Sequence, residues 1–266
     1  MSDFVSVGRG SSPLILSMPH SGTAMPAGLE SRLVSRERGI EDTDWWIDKL
    51  YQPIARDLDA SIVHTAMSRT VIDVNRDPSG ASLYPGKATT GLVPLETFDG
   101  RPLYLSGEEP DPMEIETRRE HYFAPYHTAL ASEIGRVKRR HGFALLYDCH
   151  SIRSRVPRLF EGLLPVFNIG SNDGASCTPE VSQAIGDICR ASGFETVVNG
   201  RFKGGWITRH YGAPEAGVQA VQMEIACRGY MDEDPPAWNA NKIERMRTIL
   251  TEVLSAFLAA AAPAHT

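Results

Sequence analysis

The chain has 266 residues, 42% of them apolar and 23% charged, so it is long enough to bury a full core and ordinary in composition for a globular protein. With 27 basic and 33 acidic residues, its formal charge of -6 gives no electrostatic footprint for nucleic acid. Cys149, Cys177, Cys189 and Cys227 are far apart and form no Cys-x-x-Cys, which excludes a zinc-finger spacing and a redox pair. No run of about 18 apolar residues marks a membrane span. The opening Met1-Ser2-Asp3-Phe4 also lacks the basic-then-apolar pattern of a secretion signal. A soluble protein of the reducing cytoplasm is expected.

Apolar patterning predicts strands near 14–18, 61–66, 69–75, 143–148, 163–169 and 218–226, and helices near 43–59, 113–140, 179–192 and 240–261. Such alternation predicts a layered α/β fold with a largely parallel sheet. No repeat or linker divides it, so residues 1–266 read as a single domain. The segment 77–112 is rich in Gly, Pro, Ser and Thr and reads as a long loop excursion, either a lid or a plain surface loop.

The first strand, Leu14–Met18, runs into Pro19-His20-Ser21-Gly22, delivering a histidine into a turn. Next comes the acidic cluster Glu41-Asp42-Thr43-Asp44 at the start of the helix predicted over 43–59. On a helical wheel its apolar stripe is Ile47, Leu50, Ile54 and Leu58, and Asp44 is the acid nearest to it. Asp42 suits an N-cap, Asp48 points further away, and all of these acids also suit a helix N-terminus for electrostatic reasons alone.

Ser68 to Pro78 holds Arg69, Asn75 and Arg76. An arginine and an amide where a strand leaves the sheet can grip a carboxylate. Strand parity puts Arg69 and Asn75 on one face, so a joint role for Arg76 requires a bend at Asn75. The run Gly142 to Cys149 ends at His150, and in open α/β sheets ligands lie just outside the carboxyl ends of strands. Cys149 reads as a small buried hydrophobe rather than a nucleophile. Arg153, Arg155 and Arg158 follow closely and point to an anionic substrate.

Gly204-Gly205-Trp206-Ile207-Thr208-Arg209-His210-Tyr211-Gly212 reads as a substrate-facing loop in which Arg209 or His210 steadies an oxyanion, or as a structural turn with a packed Trp. The last informative strand, Val218–Ala226, places Glu224 near its end. A buried carboxylate there has a raised pKa and can act as general base, or it forms an ion pair with an arginine such as Arg228. His20 and His150 supply two of the three ligands of a hydrolytic zinc site, which leaves a position for water.

Together these segments resemble the N-formylglutamate amidohydrolases. The motifs are Pro-His-Ser-Gly, Asp-Thr-Asp-Trp-Trp, Ser-Arg-Thr-Val-Ile-Asp-Val-Asn-Arg-Asp-Pro, Asp-Cys-His-Ser, Gly-Gly-Trp-Ile-Thr-Arg-His-Tyr-Gly and Gln-Met-Glu-Ile, in order from residue 14 to about 232. The resemblance implies metal-dependent hydrolysis of the small anionic N-formyl-L-glutamate to L-glutamate and formate, the closing step of one histidine degradation route. It implies a fold similar to zinc carboxypeptidases: three α/β/α layers around a mixed, largely parallel sheet, of the phosphorylase/hydrolase-like kind. His20 and His150 then match the histidine ligands of Zn2+, or of another divalent metal such as Co2+. Asp44 matches the acidic ligand, Glu224 the general base, and Asn75 with Arg76 the carboxylate clamp. Arg69 would share the oxyanion, and one of Arg153, Arg155 and Arg209 would hold the second carboxylate, with His210 also facing substrate. Zinc carboxypeptidases place their acidic ligand three residues after the first histidine, whereas His20 is followed by Ser21, Gly22 and Thr23. The third ligand therefore lies open among Asp44, Asp42 and Asp48. Two rival readings remain: a hydrolase of another N-acyl amino acid or a carboxypeptidase-like substrate, and a non-catalytic binding protein for an anionic amino-acid derivative.

Overall fold

The computed structural model describes residues 3–261. Its main sheet has seven strands: β1 (Val5–Gly8), β2 (Leu14–Met18), β3 (Ser61–Thr65), β4 (Ala144–Ile152), β5 (Phe167–Gly170), β6 (Thr196–Val198) and β7 (Val218–Ala226). They lie in the order β1-β3-β2-β4-β7-β5-β6. The pairs β2–β3, β2–β4, β4–β7 and β5–β6 are parallel, while β1–β3 and β5–β7 are antiparallel. The sheet is therefore mixed and mostly parallel.

Residues alternate between its two faces, and each face has its own core. Leu14, Leu16, Leu145, Tyr147, Val221 and Met223 pack on one side. They meet helices α2 (Ile47–Asp57), α5 (Pro179–Ala191) and α7 (Ala240–Ala261), while the short α1 (Arg36–Ile40) and α3 (Pro112–Arg118) lie in the connections. On the opposite side Ile15, Ala144, Leu146 and Ala220 pack with Tyr126, Leu130, Ile134 and Val137 of α4 (Ala124–His141). Cover on both faces explains why β2 and β4 are buried along their whole length and open as continuous apolar runs. The result is the expected α/β/α sandwich.

Local chemistry sets several boundaries. Gly142, at φ 82°, adopts the left-handed conformation that closes α4. Pro53 lies inside α2 and has no N–H for the Lys49 carbonyl. Arg247 of α7 supplies the missing donor at 2.9 Å and so ties the two helices together.

Four expectations need correction. Helix α2 begins at Ile47 rather than near residue 43, because Trp46 takes a left-handed φ of 58°. Asp44 thus sits in the loop ahead of the helix, not on its inward face. Asp42 caps no helix: its carboxylate accepts the Phe98 N–H at 2.7 Å. The segment 69–75 is a run of turns, closed by Val71 N–H to Ser68 and Arg76 N–H to Asp73, and not a strand. Trp206–Tyr211 is a short helix, α6, rather than a loop. Strand β4, for its part, continues to Ile152, so His150 lies within the strand. Residues 77–111 hold no helix or strand, only isolated bridges such as Leu33 to Tyr104 and Glu96 to Pro102.

Candidate active site

The α4 face of the sheet turns polar toward the carboxyl ends of its strands. Leu145, Tyr147 and Cys149 point into the opposite core, so alternation turns Asp148 and His150 toward this face. Val221, Met223 and Ile225 likewise leave Gln222 and Glu224 on it. The parallel register sets Asp148 beside Gln222 and His150 beside Glu224. All four are buried, against the usual rule for such residue types.

His20 arrives from the turn after β2, and its carbonyl accepts the Asp44 N–H at 3.0 Å, which brings the acidic loop alongside. His20 Nδ1 lies 3.1 Å from His150 Nδ1 and 3.7 Å from Asp44 Oδ2. The third side, from His150 Nδ1 to Asp44 Oδ2, is 3.1 Å. Of the three candidate acids, Asp44 closes the triangle. Asp42 is engaged with Phe98 and Arg153, and Asp48 lies in the first turn of α2.

The outer nitrogens of both imidazoles are committed. His20 Nε2 lies 2.8 Å from Asp73 Oδ1, and His150 Nε2 lies 2.9 Å from Asp148 Oδ2. Carboxylates accept only, so each Nε2 carries a proton, and in the neutral rings that a cation requires each Nδ1 presents a lone pair. Two lone pairs and a carboxylate oxygen then converge with no proton between them. That arrangement suits a cation. A tetrahedral ion with bonds of about 2.0–2.1 Å requires ligand–ligand edges of about 3.3–3.4 Å, within the range spanned by this triangle. Asp44 Oδ1 is buried with no hydrogen-bond partner among the described residues, leaving further lone-pair capacity at the same place. Without a cation a proton takes this place: burial opposes charge on Asp44 and on His150, yet bonding between them, with Asp148 behind His150, holds the Asp44 carboxyl well below its usual range and raises His150 well above its own.

The supporting carboxylates are themselves anchored. Asp148 Oδ1 accepts from Ser17 at 2.8 Å, and its Oδ2 also accepts from Asn75 Nδ2 at 3.1 Å. Asp73 binds Arg69 Nη2 at 2.6 Å and the Asn75 N–H at 2.9 Å. Although burial opposes it, Arg76, His20 and Arg69 keep Asp73 well below the ordinary carboxylate range. Glu224 differs: among the described residues no arginine pairs with it, and burial pushes it up to about 8 against the pull of His150. Its Oε2 accepts from Gln222 Nε2 at 3.2 Å. Arg228 pairs with Glu195 instead.

These groups open on a cavity of about 570 Å³, counting its mouth. His20, His150, Glu224, Arg69, Arg76 and Arg201 line it, with Tyr84 and Thr90 contributed by the long loop. Arg69 stacks 4.8 Å from the Phe98 ring and reaches to 3.7 Å from Asp44 Oδ1. Arg76 bonds the Thr90 carbonyl and hydroxyl, each at 3.0 Å. Asn75 also lines the cavity, with both ends of its amide engaged: Nδ2 donates to Asp148, and Oδ1 accepts the Ile207 N–H at 2.8 Å.

Several residues singled out in the sequence lie elsewhere. Arg153 pairs with Asp99 at 2.8 Å and Asp42 at 3.4 Å, beside a neighbouring depression. Arg155 is exposed, and Arg158 pairs with Glu96. Arg209 bonds the Gly204 carbonyl and stacks on Tyr84, while His210 stacks on Trp206 at 4.8 Å; neither lines the cavity. Conversely, Asp73, Asp148, Gln222 and Arg201 escaped sequence reasoning. Asp148 and Gln222 had a signal, since each sits two residues before a recognised site residue on the same strand face. Arg201 had none.

A family model described as N-formylglutamate amidohydrolase matches residues 12–231. The chain belongs to this family. It is 46% identical to the N-formylglutamate deformylase of Pseudomonas aeruginosa and 43% identical to that of Pseudomonas putida, in each case over 97% of both chains. The fold is similar to the crystal structure of an N-formylglutamate amidohydrolase from Ralstonia eutropha JMP134, with TM-score 0.79, 23% identity, and coverage of 95% of this chain and 97% of that one. It also resembles gene product Atu2144 from Agrobacterium tumefaciens, with TM-score 0.74, 17% identity, and coverage of 96% and 95%. No helix among the described residues is long and apolar enough to cross a membrane.

Proposed function

We propose that this chain hydrolyses N-formyl-L-glutamate to L-glutamate and formate, using a divalent metal, zinc in the first instance, held by His20, Asp44 and His150. The observation that carries this reading is the convergence of those three donor atoms, all within 4.8 Å of one another, beside the buried and unpaired Glu224. The relatives named as deformylases along almost the whole chain support the choice of substrate. A place in histidine degradation, in the cytoplasm, goes with the same reading.

When bound, the ion supplies Lewis-acid polarisation of the formyl oxygen and makes water more acidic. The protein supplies the rest. Asp73 and Asp148 hold the two imidazoles in the tautomer that turns Nδ1 inward. Glu224 takes a proton from the attacking water, whose oxygen bonds to the formyl carbon. As the carbon–nitrogen bond breaks, Glu224 returns that proton to the departing amine. Arg69, beside Asp44 and on the cavity wall, offsets negative charge developing on the formyl oxygen. Arg76 holds one substrate carboxylate with its plane set by Thr90. Asn75 acts as a positioning residue for Asp148, and through Asp148 for His150, because its Nδ2 donates to Asp148 and its Oδ1 accepts from Ile207.

The test pairs metal analysis with formate release from N-formyl-L-glutamate by the same preparation. One ion per chain and chelator-sensitive release are expected. Release by metal-free protein would overturn the metal-dependent route. Preference for acetyl or longer acyl groups would favour the wider N-acyl hydrolase reading, and tight metal and ligand binding without turnover would favour a binding protein.

A further inference from the structure

The proposed substrate carries two carboxylates, and the arginines near His150 in sequence do not line the cavity. Arg201 does. It follows β6 in a turn where Asn199 takes φ 53° and accepts the Ser171 N–H at 2.9 Å. Its Nε bonds the Leu159 carbonyl at 2.7 Å and its Nη2 the Ala88 carbonyl at 2.8 Å. The guanidinium carbon lies 5.3 Å from the ring centres of both Tyr84 and Phe202. Two hydrogen bonds and two rings thus fix the plane of the group and leave Nη1 without an acceptor among the described residues.

The other cavity arginines share a protein carboxylate. Arg69 binds Asp73 at 2.6 Å, and Arg76 lies 3.7 Å from the same carboxylate. Arg201 has no carboxylate within ion-pair distance among the described residues. Burial lowers its pKa, and Arg76 presses in the same direction. A fixed, half-buried positive charge on a cavity wall, next to a second cation and lacking an anion, is a site for an anionic group brought by the ligand.

Resting on the deformylase reading, we infer that Arg201 is the specificity residue for the second carboxylate of the substrate, opposite the one held by Arg76. The ligand class is then an N-acyl amino acid with two carboxylates, in preference to one with a single carboxylate. Its recognition couples the site to the long loop, because Ala88 and Tyr84 of that loop hold the guanidinium in place.

Steady-state kinetics on metal-loaded enzyme with three substrates tests this: N-formyl-L-glutamate, N-formyl-L-glutamine without the γ-carboxylate, and N-formyl-L-isoglutamine without the α-carboxylate. Arg201→Ala is expected to lower kcat/KM for N-formyl-L-glutamate about 10- to 100-fold, the scale of a hydrogen bond to a charged group, mainly through KM. The loss should be far smaller for whichever amide lacks the carboxylate that Arg201 contacts, which also identifies it. Arg201→Lys, which keeps the charge without the planar fork, should fall between. Equal losses on all three substrates in both variants would overturn the assignment and leave Arg201 a loop anchor. If the unmodified enzyme releases no formate from N-formyl-L-glutamate, the deformylase reading fails separately. The same three-substrate comparison, made with the acyl group that it does cleave, then decides Arg201.

Discussion

His150 and Glu224 stand opposite one another in the parallel pairing of β4 with β7. The ladder that carries an imidazole to the His20–Asp44–His150 triangle therefore also fixes the position of the buried carboxylate beside it. Neighbouring strands lie about 4.7–4.9 Å apart, so this spacing is a property of the sheet and not of any loop. One step back along both strands, Asp148 and Gln222 repeat the pairing and hold the two functional side chains from behind.

Glu224→Gln keeps the shape of the side chain and its bond to Gln222 while removing the proton acceptor. Turnover should fall at least about 10²-fold, the usual contribution of general acid–base catalysis, with metal content unchanged. Formate release alongside elemental analysis checks both halves. Near-normal turnover would remove Glu224 from the mechanism.

The choice among the three acids can be read directly from metal stoichiometry. Asp44→Asn should abolish stable metal binding, whereas Asp42→Asn and Asp48→Asn should retain one ion per chain. Asp42, which burial pushes up to about 6, has its own role in joining Phe98 to Arg153. Its substitution should lower thermal stability instead.

Gly205 permits a close approach that no other residue can make. A Cβ there would lie 2.5 Å from both amide atoms of Asn75. Gly205→Ala should displace Asn75, loosen Asp148 and His150, and weaken metal affinity about 10- to 100-fold, as for lost support of a metal-binding histidine. A competitive chelator titration measures this. Unchanged affinity would show that Asn75 does not position His150.

His127 offers a pH test away from the metal. Burial pushes its pKa down to about 4, and its neutral ring spans the Val74 carbonyl at 2.8 Å and the Tyr211 hydroxyl at 3.0 Å. In the unfolded chain the ordinary histidine value is about 6.5. Between these values the unfolded state binds the extra proton, so stability is intact above about 6.5 and declines as pH falls toward 4. Urea unfolding at a series of pH values should show this slope, and His127→Gln should flatten it. An equal slope in both proteins would assign the effect to other groups.

Much of the scaffold was legible in the chain. Strands β2 and β7 and helix α7 match their apolar patterns end to end, because burial on both sheet faces or along one helix stripe writes itself into local periodicity. Short edge strands β1 and β6 left no such mark, being only partly buried. The segment 69–75 shows the opposite failure. Its apolar Val71, Ile72 and Val74 are buried as a strand's would be, but the chain folds into turns that aim Asp73 at His20 and Arg69.

The sequence by itself determined the residue types suited to a metal, the strand that leads into His20, the strands behind His150 and Glu224, and the family to which the chain belongs. Those features depend on local pattern and on motifs a few residues long. Only the tertiary structure decided that Asp44 rather than Asp42 or Asp48 completes the triangle, that Asn75 bonds Asp148 beside His150, and that Arg201 rather than Arg153 or Arg209 faces the cavity. Each of those outcomes depends on loops brought together from distant parts of the chain. A loop's direction is set by the backbone turns and packing around it, for which hydrophobic periodicity carries no signal.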